Sequence, residues 1–358
     1  MSEGLSATNE VIIPESSQFG FCEGVVAADD LLKHVSDVAL EHGLKIFCYH
    51  DIVHNKHVRA SHERRGVNFV DDLELVPDGS VVVTSAHGIG PEIVARLREK
   101  DCLQFDATCP LVEHTHNGVR LARENDQAVV YICQGKPGDA DHVHDEVMGT
   151  VGWMDFVYEN GRLRYDPVER AYVELSDDLD SILKEVDRLS STVKGFRIVS
   201  QTTLDSSATL KLRESIVEKL NSKFLGDKTV SFSKPGDVCK AVFFRQEWVK
   251  DNSSQRDPDS VVVVTDPTSK NGLGYRDIAA KIIGPEKVFA VENADDQILS
   301  RLGGIILVTA SASTPDEQTK AVVEKLGGEF RNIKRKSFSL RDAKLVEERI
   351  LEFIHRAA

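Results

Sequence analysis

No Cys-x-x-Cys pair occurs anywhere in the 358 residues. That absence excludes zinc knuckles and cluster sites built from closely spaced cysteines. The six cysteines, Cys22, Cys48, Cys102, Cys109, Cys133 and Cys239, are scattered, so a metal site would have to draw its ligands from far apart in the chain. No run approaches the roughly 20 apolar residues of a membrane span. The opening residues, MSEGLSATNE, have no basic start and no apolar stretch. They predict no signal or transit peptide, and hence a cytoplasmic protein whose cysteines stay reduced. Positive charge is in deficit: 44 Lys and Arg stand against 58 Asp and Glu, a net charge of −14. A phosphate backbone needs a basic face, which excludes nucleic acid as a partner. A small anion is still allowed, because local cations and backbone N–H groups suffice to hold one.

What the chain does have is a series of short β-branched runs ending in polar or glycine residues. They are IFCYH (46–50), SVVVTSAHG (80–88), AVVYICQG (128–135), FRIVSQTT (196–203), SVVVVTDPTSKN (260–271) and GIILVTASAST (304–314). Such Val- and Ile-rich runs, up to four consecutive valines at 261–264, predict strands buried on both faces, as in parallel sheets. Amphipathic stretches at 91–100, 208–223 and 315–328 lie between them and predict helices. In the last, Thr314 and Pro315 read as N-cap and first helical residue, and Gly327–Gly328 as the stop. Strands alternating with helices give an α/β class, and the length suggests two or three domains at about 150 residues each.

A weak internal repeat organises these elements. Cys22, Cys109 and Cys239 sit in the similar frames GFCEGV, ATCPLV and DVCKAV, each with Val three residues after Cys. Each is followed by two polar strand ends: HDIVHN and SAHG, then HDEV and SQTT, then DPTSKN and ASAST. One cysteine and two polar strand ends, three times over, predict three related α/β units around a common centre. The expected boundaries are an N-terminal strand at 11–22 joining the third lobe, lobes at 23–108, 109–236 and 237–330, and a C-terminal cap helix at 331–358. The polar stretch 250–260 reads as a loop, and 152–175 as an added β excursion in the second lobe. The basic run RNIKRK (331–336) is too short to bind nucleic acid in so acidic a chain.

In open α/β sheets ligands collect beyond the carboxyl ends of strands, where the polar motifs lie. Cys48, Cys102 and Cys133 read as small buried or connecting residues. Cys22, Cys109 and Cys239 sit at turns that can stabilise a thiolate, and three thiolates can hold three irons of a four-iron cube and leave one iron open. His54, His87 and His144 stand out from the twelve histidines because each falls at a strand-end motif, where a charged imidazole would pair with an anion. Glu146 is either a solvated loop acid or a proton donor with a raised pKa. Thr202, Thr203, Ser269, Asn271 and Ser313 end buried strands, and helix capping alone would account for Thr203 and Ser313.

The motifs FGFCEGV, HDIVHN, VTSAHG, FDATCPLV, HDEVMGTVG, SQTTL, DVCKAVFFRQE, SKN and TASASTPD occur in the order found in the 4-hydroxy-3-methylbut-2-enyl diphosphate reductases. The chain resembles that family over roughly residues 11–330. The resemblance implies a trefoil-like fold of three pseudo-threefold related α/β lobes around a [4Fe–4S] cluster. It implies that Cys22, Cys109 and Cys239 ligate the cluster, and that Glu146 is the catalytic acid with Thr202 in its proton relay. His54, His87, His144, Thr203, Ser269, Lys270, Asn271 and Ser313 would line the pocket of a small phosphorylated substrate. The implied reaction removes an allylic hydroxyl with two electrons and two protons. Ferredoxin or flavodoxin would supply the electrons, as no flavin or nicotinamide motif is present. Departures from the family pattern fall at Phe19, Glu23, Phe244 and Lys270, and an enlarged segment, 134–143, makes His142 an alternative to His144. Phe19, Glu23 and Phe244 are expected to change polarity beside the cysteines. Other readings of the same residues are a paralogue acting on another hydroxylated substrate, a non-catalytic iron–sulfur sensor, and a zinc site.

Overall fold

Valine-rich runs form the centres of three parallel sheets, each with both faces covered. In a computed structural model, residues 9–15, 18–137, 144–232, 238–330 and 340–357 are described. The elements up to the second cysteine frame are β1 (Glu10–Ile12), α1 (Glu23–Glu41), β2 (Ile46–Tyr49), α2 (Lys56–Arg64), β3 (Asn68–Val70), β4 (Val81–Thr84), α3 (Pro91–Glu99) and β5 (Leu103–Asp106). Then come α4 (Pro110–Glu124), β6 (Gln127–Ile132), α5 (Asp145–Asp155), β7 (Phe156–Glu159), β8 (Arg162–Tyr165), β9 (Arg170–Val173), α6 (Leu179–Leu189), β10 (Gly195–Ser200), α7 (Ser206–Phe224) and β11 (Thr229–Phe232). The last are α8 (Lys240–Gln255), β12 (Ser260–Val264), α9 (Lys270–Ile283), β13 (Val288–Val291), β14 (Ile305–Ala310), α10 (Asp316–Lys325) and α11 (Leu340–Ala357).

The chain divides into two compact units. One comprises residues 1–27, 53–61 and 240–337, the other residues 28–52, 62–239 and 338–358. The second unit holds two four-stranded parallel sheets, ordered β3-β2-β4-β5 and β9-β6-β10-β11. The first unit holds the third, ordered β13-β12-β14-β1, also parallel. Numbered within its own lobe, each sheet has the order 2-1-3-4. In the third, the fourth place is taken by the N-terminal strand β1, whose Glu10–Ile12 register with Ile305–Leu307. The α/β class and its threefold repetition are therefore present in the strand order itself.

Residue alternation along β6 explains why it is apolar throughout. Ala128, Val130 and Ile132 pack with Phe196 and Ile198 of β10 against α6 and α7, while Val129 and Tyr131 face α4 and α5. A strand buried on both faces cannot alternate polar and apolar residues. Each such valine contributes about 1.5–3 kcal/mol through burial. In the first unit, Val262, Val264, Ile306 and Val308 pack with Val322 and Val323 of α10 and with Phe19.

Four expectations need correction. The 250–260 stretch is not a loop at its start, because α8 runs through Gln255. Its polar side chains bond back to the helix, Asn252 to the Trp248 carbonyl at 2.8 Å and Ser254 to the Lys250 carbonyl at 2.7 Å, while Val249 and Ser253 are buried. The 152–175 excursion is only the β7–β8 hairpin, turned at Asn160 and Gly161 with positive φ; Arg170–Val173 is β9, an integral strand beside β6. Pro315 rather than Thr314 stands at the N-cap of α10, and the Thr314 hydroxyl instead donates to the Val264 carbonyl at 2.9 Å. Phe19 is a packing residue of the third-lobe core, 1% exposed, with its ring 5.7 Å from that of Phe330. Residues 331–336 lie outside the described residues. Helix α11 packs on the first lobe of its unit, with Val346 and Ile350 buried and the Arg349 guanidinium 4.3 Å from the Phe105 ring centroid.

Truncating Phe19 to Ala should cost about 3–5 kcal/mol, because the core cannot close over a lost ring. A fall in the urea midpoint checks this; an unchanged midpoint would show that Phe19 is not a core residue.

Candidate functional site

The three frame cysteines each lie immediately before a helix. Cys22 precedes α1, Cys109 is the N-cap of α4, and Cys239 precedes α8. A helix start presents N–H groups and positive potential, which suits an anionic sulfur or the anionic cluster it binds. All three are half-buried, and no disulfide links any cysteine among the described residues. The Cys109 side chain makes no capping hydrogen bond to its own helix. Each backbone is pinned. The Cys22 N–H donates to the Ala312 carbonyl at 3.2 Å, that of Cys109 to Ala86 at 3.0 Å, and that of Cys239 to Thr202 at 3.3 Å. A donor set of three thiols fits an iron–sulfur cluster with one iron not ligated by cysteine. Cys48 and Cys133 are buried within their lobes, and burial pushes the Cys133 thiol up to about 12, consistent with packing roles.

In the second unit, α5 and the loop after β10 bring Glu146 and Thr202 together. Glu146 is 1% exposed. Its carboxyl accepts the Thr202 backbone N–H at 2.6 Å and the Thr202 hydroxyl at 3.0 Å. Burial raises its pKa and the two Thr202 bonds lower it; burial wins, leaving the group at about 7. The carboxyl is therefore not a solvated loop acid. His144 caps α5, its Nδ1 accepting the Glu146 N–H at 3.2 Å, so the ring proton of the neutral form belongs on Nε2. The His87 ring stands edge-on to that of His144 at 5.3 Å, and its Nδ1 is 3.9 Å from Asp145. His142 lies outside the described residues. Thr203 caps nothing, since α7 is capped by Asp205, and its hydroxyl accepts a bond from Gln201 at 3.0 Å.

In the first unit, the loops after β12 and β14 meet the segment before α2. The Ser313 hydroxyl donates to the His54 carbonyl at 3.2 Å. Ser269 caps α9 and accepts the Gly272 N–H at 3.4 Å. Lys270 is exposed on the first turn of α9. Asn271 follows it, and both polar atoms of its amide are buried with no partner among the described residues. Buried amides are ordinarily hydrogen-bonded. Glu23 and Phe244 are exposed on the first turns of α1 and α8.

Several supporting residues were not singled out in the sequence. Asn55 accepts the His57 and Val58 N–H groups at 2.9 and 3.2 Å, starting α2 two residues after His54; its signal was an Asn at the residue just before a helix. Arg245, fully buried, donates to the Gly20 carbonyl at 2.8 Å and so braces the turn that leads to Cys22. Gly149 packs against the loop of His87 so closely that a Cβ there would lie 2.8 Å from the Gly88 carbonyl oxygen. The G-x-x-G spacing of Gly149 and Gly152 in α5 was the legible sign of such an approach.

The family model described as "LytB protein" matches residues 13–327. The chain belongs to the LytB family. Among LytB relatives, the 4-hydroxy-3-methylbut-2-enyl diphosphate reductase of Mycobacterium ulcerans is 32% identical over 309 residues, 86% of this chain and 82% of that protein. The enzyme of the same name from Methylococcus capsulatus is 32% identical over 311 residues, covering 86% and 87%. Among solved structures, the E-1-hydroxy-2-methyl-but-2-enyl-4-diphosphate reductase of Plasmodium falciparum superposes with a TM-score of 0.71 at 25% identity, covering 96% of this chain and 99% of that one. Among the described residues of this LytB chain, no helix is long and apolar enough to cross a membrane.

Because folding raises the Glu146 pKa from 4.5 to about 7, the stability it contributes is full below pH 4.5 and is lost as pH rises through 7. Wild type should therefore lose about 3 kcal/mol relative to Glu146→Gln across that window. Urea unfolding at a series of pH values checks this; parallel curves for the two proteins would place the carboxyl in water.

Proposed function

We propose that this chain reduces 4-hydroxy-3-methylbut-2-enyl diphosphate to isopentenyl and dimethylallyl diphosphate, with water as the other product. The observation that carries the reading is Glu146: a buried carboxyl clamped by Thr202 and poised near neutrality, in a LytB family member. The names of its relatives support the substrate and reaction class.

Cys22, Cys109 and Cys239 are the proposed ligands of a [4Fe–4S] cluster. When bound, the cluster supplies the two electrons in turn and an open, Lewis-acidic iron. The protein residues do the rest. His54, His87 and His144, with Thr203, Ser269, Lys270, Asn271 and Ser313, hold the diphosphate. Charge-assisted bonds of about 1.5–3 kcal/mol each make such a set sufficient for micromolar binding. Glu146 keeps a proton out of water until it is needed. Loss of the allylic hydroxyl as water requires that proton at the departing oxygen, and Thr202, whose hydroxyl touches the carboxyl, relays it. A second proton completes the product at carbon. Ferredoxin or flavodoxin is the proposed donor, returning two electrons per turnover.

Protein purified without oxygen should contain iron and sulfide, and its visible spectrum should shift when the diphosphate substrate is added. Reduced protein should then yield the two five-carbon diphosphates. Glu146→Gln should lower turnover at least about 100-fold with iron and sulfide unchanged. An intact cluster with no spectral response and no product would assign the fold to a different substrate. Zinc in place of iron and sulfide would remove the redox reading altogether.

A further inference from the structure

We propose that Asp266 is a positioning residue for the diphosphate, locking the His54 segment to the turn that carries Ser269 and Asn271. This rests on the function proposed above. Asp266 follows β12 and is 4% exposed. One carboxylate oxygen accepts the Lys56 backbone N–H at 3.0 Å, at the first residue of α2. The other accepts the Thr268 N–H at 2.9 Å and the Thr268 hydroxyl at 2.7 Å. The Asp266 carbonyl accepts the Ser269 N–H at 3.0 Å, which sets the cap of α9 and so the place of Asn271.

The His54 segment is thus fixed at three consecutive residues. His54 is held through its carbonyl by Ser313, Asn55 by its own helix cap, and Lys56 by Asp266 at the backbone and by an ion pair to Glu292 at the side chain. The Asp266 side chain reaches from the turn of Ser269 and Asn271 to this segment. Burial alone would raise its pKa, but the bonds from Lys56 and Thr268 prevail and hold it below the usual carboxylate range. With three donors on its two oxygens, the negative charge is turned into the protein rather than toward an anionic ligand. Preorganising two gripping segments in this way lowers the ordering cost of binding. Removing the tie should therefore weaken ground-state binding and leave the chemical step largely intact.

Inorganic pyrophosphate binding by calorimetry and steady-state turnover of the cluster-loaded protein test this. Asp266→Ala should weaken pyrophosphate binding roughly tenfold and raise KM similarly, with kcat within about threefold of wild type. Asp266→Asn, which keeps only one acceptor oxygen, should fall between the two. In a His54→Ala background, Asp266→Ala should add less than about twofold, since both act on one contact. Pyrophosphate binding within about twofold of wild type, losses that multiply with those of His54→Ala, or a fall in kcat at constant KM would each overturn the proposal. Should Asp266→Ala not fold, as judged by circular dichroism, Asp266→Asn decides on the same criteria. If wild type itself neither binds pyrophosphate nor turns over the substrate, the functional reading fails and takes this one with it. If wild type does both and the variants match it, only the role of Asp266 falls.

Discussion

Parallel pairing is the constraint from which the rest follows. A parallel sheet needs a crossover between successive strands, usually a helix, and so sends the carboxyl ends of its strands to one edge. Here all three four-stranded sheets are parallel, and the polar loops leave from those ends: HDIVHN after β2, SAHG after β4, SQTT after β10, DPTSKN after β12 and ASAST after β14. The apolar runs earn no specificity of their own. Their task is to fix where each short polar loop emerges, and a helix start follows most of them, supplying N–H groups to whatever binds.

Electrostatics within the units then decides what those loops do. Glu146 and Asp266 are both buried acids, yet they are tuned in opposite directions. Glu146 receives two bonds from a single residue, too few to offset its desolvation, and so retains a proton near neutrality. Asp266 receives three bonds across two segments, enough to keep it charged. The number and source of donors, rather than burial alone, separates an acid that can give up a proton from one that serves as a fastener.

Much of this was readable in the sequence, for reasons that differ by element. The Val and Ile runs gave strand positions because both faces of each strand are buried. The lobe repetition was visible through the cysteine frames, and its cause is the recurring 2-1-3-4 strand order. Glu146 and Thr202 were selected by motif, although only the fold shows that these residues, 56 positions apart, come into contact. The extension of α8 was hidden because Asn252 and Ser254 favour loops by composition, and their bonds to the preceding turn exist only once the helix does. Phe19 was misjudged because nearness in sequence to Cys22 says nothing about which way a ring points. Arg245 and Asp266 escaped notice because they act on backbone atoms, and such partners leave no pattern in a sequence.

The third sheet borrows its last strand from the other end of the chain. β1 is made before two whole lobes, and β14, the strand it pairs with, only after them. While a ribosome works through the two lobes between them, β1 has no partner, and when β14 arrives its outer edge is briefly bare. An unpaired edge is a template for any extended segment nearby, its own leader or a stranger's. The closure is also the most non-local strand pairing among the described residues, which makes it a slow event that cannot begin before β14 is made. Vectorial synthesis therefore leaves the third lobe as the vulnerable one, and the few residues of β1 act as a latch that closes on the arrival of β14.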